Sequence, residues 1–144
     1  NREMKSSNIN EITINAYFNA NYYVMAEQPF CIKIGQKSKP LQNYCFKKNY
    51  QSAVFVTGYN PFSKIVADKC NLLAHNRLKL MLNKMDIESI LCIASDLEKG
   101  WPDEVGVLAL DVTLQEGKDI GNIFKQNAIV WIPNGWVPKI ELLR

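Results

Sequence analysis

The stretch 53-AVFVTGYNPFSKIVADKCNLLAHN-76 carries the plainest structural signal in the chain. Ala53 to Thr57 is apolar and β-branched, the composition of a strand buried on both faces. Asn60-Pro61 follows as a turn, because proline fixes φ and asparagine tolerates left-handed backbone. From Asp68 to about Met85 the periodicity becomes helical, and at 100° per residue Cys70, Leu73, Ala74, Leu78, Met81 and Met85 share one face. A central strand, a polar turn and an amphipathic helix are expected, with His75 and Asn71 one helical turn apart at the margin of that face.

Outward from this unit, the pattern continues. Ser89 to Ala94 reads as a strand, Asp96 to Asp103 as a loop punctuated by Gly100-Trp101-Pro102, and Val105 to Val112 as a further strand. Thr113-Leu-Gln-Glu116 is a capping box that opens a helix to about Phe124. Gly117 and Gly121 lie one turn apart in it, each costing ~1 kcal/mol relative to alanine. That cost is reasonable where a helix backbone packs closely on a sheet. Ala128 to Ile132 and Val137 to Leu142 are expected as the last strands, separated by the Pro133-Asn-Gly turn.

Before the unit, Asn8 to Glu11 resembles a capping box with Asn8 as N-cap. It predicts a short helix to about Phe18 that buries Ile9, Ile12 and Ala16. Tyr22 to Ala26 and the alternating Phe30, Ile32 and Ile34 form an expected hairpin around Gln28-Pro29, followed by a helix over Leu41 to Lys48. The expected fold class is α/β, or α+β: a single-domain sandwich over residues 1–144, with helices packed on a mixed β-sheet, an opening N-terminal hairpin and residues 1–7 as a disordered tail.

The chain has 144 residues, 47% of them hydrophobic and 22% charged, a composition suited to one globular domain. No apolar run reaches the ~20 residues of a membrane span. No secretory leader is recognisable, and the first residue is Asn1 rather than methionine, so the natural N-terminus is left open. Cys31, Cys45, Cys70 and Cys92 form no CxxC pair and have a single histidine to join them, which argues against zinc. Three of them, Cys31, Cys70 and Cys92, have apolar neighbours and are expected to behave as small buried hydrophobes. Reduced thiols in a cytoplasmic protein are expected, with no metal and no cofactor.

A net charge of +3 does not by itself imply nucleic-acid binding. Between Glu27 and Asp68, however, there is no acidic residue, while Lys33, Lys37, Lys39, Lys47, Lys48 and Lys64 alternate with aromatic side chains. Such a surface can attract phosphates and stack bases. A solvated lysine face with the aromatics turned inward is the simpler reading.

The turn after the central strand is the first candidate site. Thr57, Asn60 and Ser63 stand at a strand's carboxyl end before a helix, where ligands commonly bind in α/β sheets. Neither a GxGxxG nor a P-loop lysine is present. His75 is the only histidine and the only ordinary neutral-pH proton acceptor. Asp96, Asp103 and Glu104 could each provide a carboxylate near a strand end, and an acid against the Trp101 indole can have a raised pKa. No pair of them has the spacing of a general acid and base. Gln126 and Asn127 can both donate and accept hydrogen bonds before the last apolar strands. Asn127 could equally end a helix in left-handed conformation.

The ordered set Thr57, Asn60, Pro61 and Ser63, then Asn71 and Asn76, then Trp101, Pro102 and Glu104, and finally Phe124, Gln126, Asn127 and Ala128 resembles the bacterial domain-of-unknown-function family 3293. The opening hairpin fits more loosely through Tyr22 and Ile34-Gly35. Where the family pattern has a small residue followed by tryptophan, this chain has Gly58-Tyr59. The resemblance implies shared architecture and a polar site without supplying a mechanism. Buried amides and carboxylates are costly unless they bond one another or a ligand. Asn60, Ser63, Asn71, Glu104, Gln126 and Asn127 are therefore expected to converge.

The expected function is binding of a small polar or phosphorylated, nucleotide-like ligand by Thr57, Asn60, Ser63, Asn71, Asn76, Trp101, Gln126 and Asn127, with lysines neutralising its charge. One alternative is a hydrolase or transferase with Glu104 as acid or base and His75 or Asn127 assisting. The other is an RNA- or protein-interaction module on the Lys33–Lys64 surface. No membrane partner is expected.

Overall fold

The structure, a computed structural model, describes residues 9–144. Seven strands form one sheet: β1 (Ala20–Val24), β2 (Phe30–Lys33), β3 (Ala53–Thr57), β4 (Ser89–Asp96), β5 (Glu104–Leu110), β6 (Ala128–Ile132) and β7 (Lys139–Leu142). Among the described residues four α-helices accompany them: α1 (Glu11–Asn19), α2 (Lys39–Lys48), α3 (Asp68–Lys84) and α4 (Leu114–Ile123). The strand order is β2-β1-β4-β5-β3-β6-β7. The expected tail at residues 1–7 and the expected cap at Asn8 lie outside the described residues.

The α/β class holds, but the sheet is antiparallel at every pairing rather than mixed. β3-α3-β4 and β5-α4-β6 are each strand–helix–strand units whose two strands run the same way. In each, a third strand has been inserted: β5 lies between β3 and β4, and β3 lies between β5 and β6. The two units interleave, so every neighbour is antiparallel. Alternation along the chain shows the crossover helices and is blind to the insertion.

Two cores line the sheet. On one face Phe55, Leu108, Val130 and Tyr22 pack with Leu41 and Cys45 of α2. On the other, Val54, Val56, Val107 and Ile129 pack with Leu78 and Leu82 of α3 and Ile120 of α4. β3 is buried along its whole length, as a central strand should be. The Thr113–Glu116 capping box forms in full. Gly117 and Gly121 bring α4 so close to the sheet that a Cβ at Gly117 would lie 3.0 Å from Val54 Cγ2, and one at Gly121 would lie 2.8 Å from Ile129 Cγ2.

Three local expectations change. α1 is capped by Asn10, whose Oδ1 accepts from Thr13 N at 2.9 Å. It buries Ile14 and leaves Ile12 80% exposed. α3 buries Asn71, His75, Leu78 and Leu82, while Leu73 and Met85 are exposed. Cys70 is exposed as well, whereas Cys45 and Cys92 are buried. The helix is turned by about one residue from its most apolar stripe, because Asn71 hydrogen-bonds to the turn after β3. β5 begins at Glu104, which places that carboxyl on the sheet and not in the preceding loop.

No helix among the described residues is long and apolar enough to cross a membrane.

Candidate functional site

The turn after β3 is built from unusual backbone. Asn60, Phe62 and Ser63 all have positive φ, at 47°, 55° and 60°. Asparagine takes this region readily, whereas a bulky phenylalanine is strained there by about 1–2 kcal/mol. The conformation is held from both sides. Phe62 N donates to Lys125 O at 2.7 Å, and the Arg144 guanidinium lies 4.3 Å from the Phe62 ring centroid.

Asn60 is the hub. Its Oδ1 accepts from Asn71 Nδ2 at 3.0 Å and Val66 N at 3.1 Å, and its Nδ2 donates to Glu104 Oε2 at 2.9 Å. Its own backbone N–H donates to Asn71 Oδ1 at 2.8 Å. Trp101 Nε1 donates to the same Glu104 Oε2 at 2.9 Å. Asn60 and Asn71 are buried, so this network joins β3, α3 and β5 in a region where an unpaired group would be costly.

A second cluster adjoins it. Asn127 Nδ2 donates to Ser63 Oγ at 2.8 Å, Ser63 Oγ lies 3.1 Å from the Tyr17 hydroxyl, and Arg144 donates to Asn127 Oδ1 at 3.0 Å. Gln126 is placed by the end of α4, where Lys125 takes the left-handed position and Gln126 N donates to Gly121 O at 2.9 Å, a Schellman motif. Lys125, rather than Asn127, is the left-handed residue. Gln126 Nε2 donates to Tyr59 O at 3.0 Å, beside Asn60.

These clusters form one end of a cavity of about 600 Å³ between α1 and the sheet face that carries Phe55. Of the expected site residues, Thr57, Asn60, Ser63, Trp101, Glu104 and Gln126 line it. The Thr57 hydroxyl is committed to backbone, donating to Val105 O and accepting from Tyr59 N. Asn71 and Asn127 stand behind the lining and hold Asn60 and Ser63. Asn76 is exposed on α3 and does not join the cavity. His75 is also absent from the lining. It is buried edge-on to Tyr59, with centroids 6.5 Å apart, and its Nδ1 has no partner among the described residues. Burial, with a smaller contribution from Lys79, lowers its pKa. Glu104 and His75 therefore do not form an acid–base pair here.

The lining also contains Asp96, one of the candidate carboxylates, and residues that the sequence did not point to as a site, among them Tyr17, Phe55 and Glu98. Tyr17 comes from α1, Phe55 from the middle of β3 and Glu98 from the turn after β4, and their meeting depends on strand order and not on any motif. Arg144 likewise carries no local signal.

The site is defined by an enclosed amide–carboxyl network at the strand ends of an antiparallel α/β sandwich, roofed by a short helix. The chain belongs to the family described as Protein of unknown function (DUF3293), which matches residues 56–129. That segment contains Asn60, Asn71, Trp101, Glu104, Gln126 and Asn127, while α1 and the opening hairpin precede it. Comparison with curated proteins and with solved structures returns no match.

Burial holds the Glu104 carboxyl above the usual carboxylate range, opposed by the bonds from Asn60 and Trp101. The folded protein thus holds this proton more tightly than the unfolded chain does. The associated stability is complete below the unfolded value of 4.5 and is lost as pH rises through the folded-state pKa. Glu104→Gln keeps the shape, and its amide oxygen can still accept from both donors. The variant is expected to gain about 1 kcal/mol at neutral pH, or ~3 °C in midpoint, with the gain vanishing toward acid pH. Thermal melts from about pH 4 to pH 8 check this; a gain independent of pH would contradict it.

Proposed function

We propose that this is a binding domain for a small polar ligand, held in the cavity beneath α1. The observation that carries the reading is the convergence on a single cavity of Asn60, Ser63, Glu104 and Gln126, which come from three separate segments and are each fixed by hydrogen bonds within the protein. Preformed cavities of this size, with mostly apolar walls and a few fixed polar groups, suit small-molecule binding. None of the lysines from Lys33 to Lys64 lines the cavity, so a phosphorylated ligand would meet Glu104 without the expected ammonium groups. The four free cysteines support a reducing compartment such as the bacterial cytoplasm.

A hydrolase or transferase is the second reading, favoured by the raised pKa of Glu104. A general acid at neutral pH needs that property.

The test is a thermal-shift panel of amines, amides, sugars, nucleotides and sugar phosphates, run on this chain and on Ala16→Trp. The substitution places an indole on the α1 wall of the cavity. A ligand at 100 times its dissociation constant adds ~2.7 kcal/mol and moves the midpoint by several degrees. A hit lost in Ala16→Trp supports the reading. A flat panel, or a hit that survives the filled cavity, counts against it.

A further inference from the structure

We propose that the ligand of this cavity is a small organic cation carrying a primary ammonium or guanidinium group; the proposal rests on the cavity being a ligand site, as argued above. The first observation is which hydrogen-bonding atoms the protein leaves unclaimed. Gln126 is only 7% exposed, and its Nε2 donates to both Tyr59 O and Phe124 O. Two carbonyl acceptors fix the amide orientation, because the amide oxygen could not replace the nitrogen there. The remaining atom, Oε1, accepts no hydrogen bond among the described residues. Glu104 repeats the pattern. Oε2 receives both Asn60 and Trp101, whereas Oε1 receives no donor among the described residues. The cavity wall thus offers two open acceptors, which call for a donor-rich ligand.

The second observation is charge. Asp96, Glu98 and Glu104 line the cavity, and no lysine, arginine or histidine does among the described residues. Two cations outside the lining, Lys99 and Arg144, are engaged with other groups. Lys99 Nζ donates to Ser95 Oγ at 3.2 Å, and Arg144 is bonded to Asn127 while lying over Phe62. An anion would enter a partly desolvated space facing carboxylates, with no cationic side chain among the described lining residues, an unfavourable arrangement. A cation would gain ionic hydrogen bonds at Glu104, in a space that the aromatic side chains of Tyr17, Phe55 and Trp101 also line.

Isothermal titration of the full chain tests this with agmatine and spermidine as cations, glutaramide as a neutral compound, and glutarate and adenosine monophosphate as anions. The expected result is that a cation binds at least about tenfold more tightly than the neutral and anionic compounds. That affinity should drop by about tenfold or more in Glu104→Gln and in Gln126→Leu. Glu104→Gln retains the packing, so a loss there is not a loss of folding. Tightest binding by glutaramide or an anion overturns the cation assignment and leaves the small-ligand reading standing. Cation binding indifferent to both substitutions also overturns it, by placing the cation elsewhere. Silence across this panel, together with a flat thermal-shift panel, overturns both.

Discussion

Gly106→Ala is expected to lower the stability of the protein by about 2–3 kcal/mol, or ~8 °C in thermal midpoint. Gly106 lies in β5 opposite Thr57, at the centre of the sheet. A Cβ there would sit 2.5 Å from the Val56 carbonyl oxygen and 2.9 Å from both Phe55 Cε1 and Thr57 Cβ. The aromatic ring could swing aside, but the carbonyl belongs to the backbone of β3 and cannot move without disturbing the β3–β5 register. The substitution also gains something, since alanine restricts the unfolded chain by about 0.4–1 kcal/mol. Overpacking of ~1–3 kcal/mol against a backbone atom at the upper end of that range outweighs the gain. Urea unfolding with an unchanged denaturant slope checks the magnitude. A neutral result would mean that the two central strands are less tightly joined than their geometry shows. Because Phe55 and Thr57 also line the cavity, the same variant should weaken any ligand bound there.

Asn60→Ala is expected to have the largest effect among the polar residues, about 3–4 kcal/mol. The change leaves Asn71 Nδ2 and Val66 N without their acceptor and removes one of the two donors to Glu104. Each buried group stranded in this way costs about 1–3 kcal/mol. Alanine is also less suited than asparagine to the left-handed backbone at this position. The loss of a donor that favours the ionised carboxylate should carry the Glu104 pKa still higher. Asn60→Asp separates the two effects. It keeps one oxygen for Asn71 and Val66 and sets the other against Glu104, so its instability should be greatest at neutral pH and recover as either carboxyl is protonated. Denaturant midpoints across pH check both variants. A loss below about 0.5 kcal/mol for Asn60→Ala would show that water replaces the network without penalty.

The convergence of six polar residues was an expectation drawn from the family resemblance, combined with the need of buried amides and carboxyls for partners. The way they converge was not legible. Asn71 and Asn127 turn out to hold other residues, and Thr57 spends its hydroxyl on backbone. His75 lies against Tyr59 outside the cavity lining. Asn76, one position further along α3, is exposed. On a helix, adjacent residues differ by 100°, so a rotation of about one position decides which of them faces the sheet.

Local sequence determined the elements. The Thr113–Glu116 box starts α4, Ala53–Thr57 forms the fully buried strand, and the Gly117/Gly121 pair marks where a helix presses on the sheet. These signals act over at most a few turns, where capping bonds, backbone freedom and side-chain periodicity operate. Tertiary structure alone decided the rest. It inserted β5 between β3 and β4, turned α3 toward Asn60, and laid α1 over the sheet so that a cavity lies between them. Those outcomes depend on which distant strands pair and on hydrogen bonds between residues 11 or more positions apart, and neither leaves a mark in local periodicity.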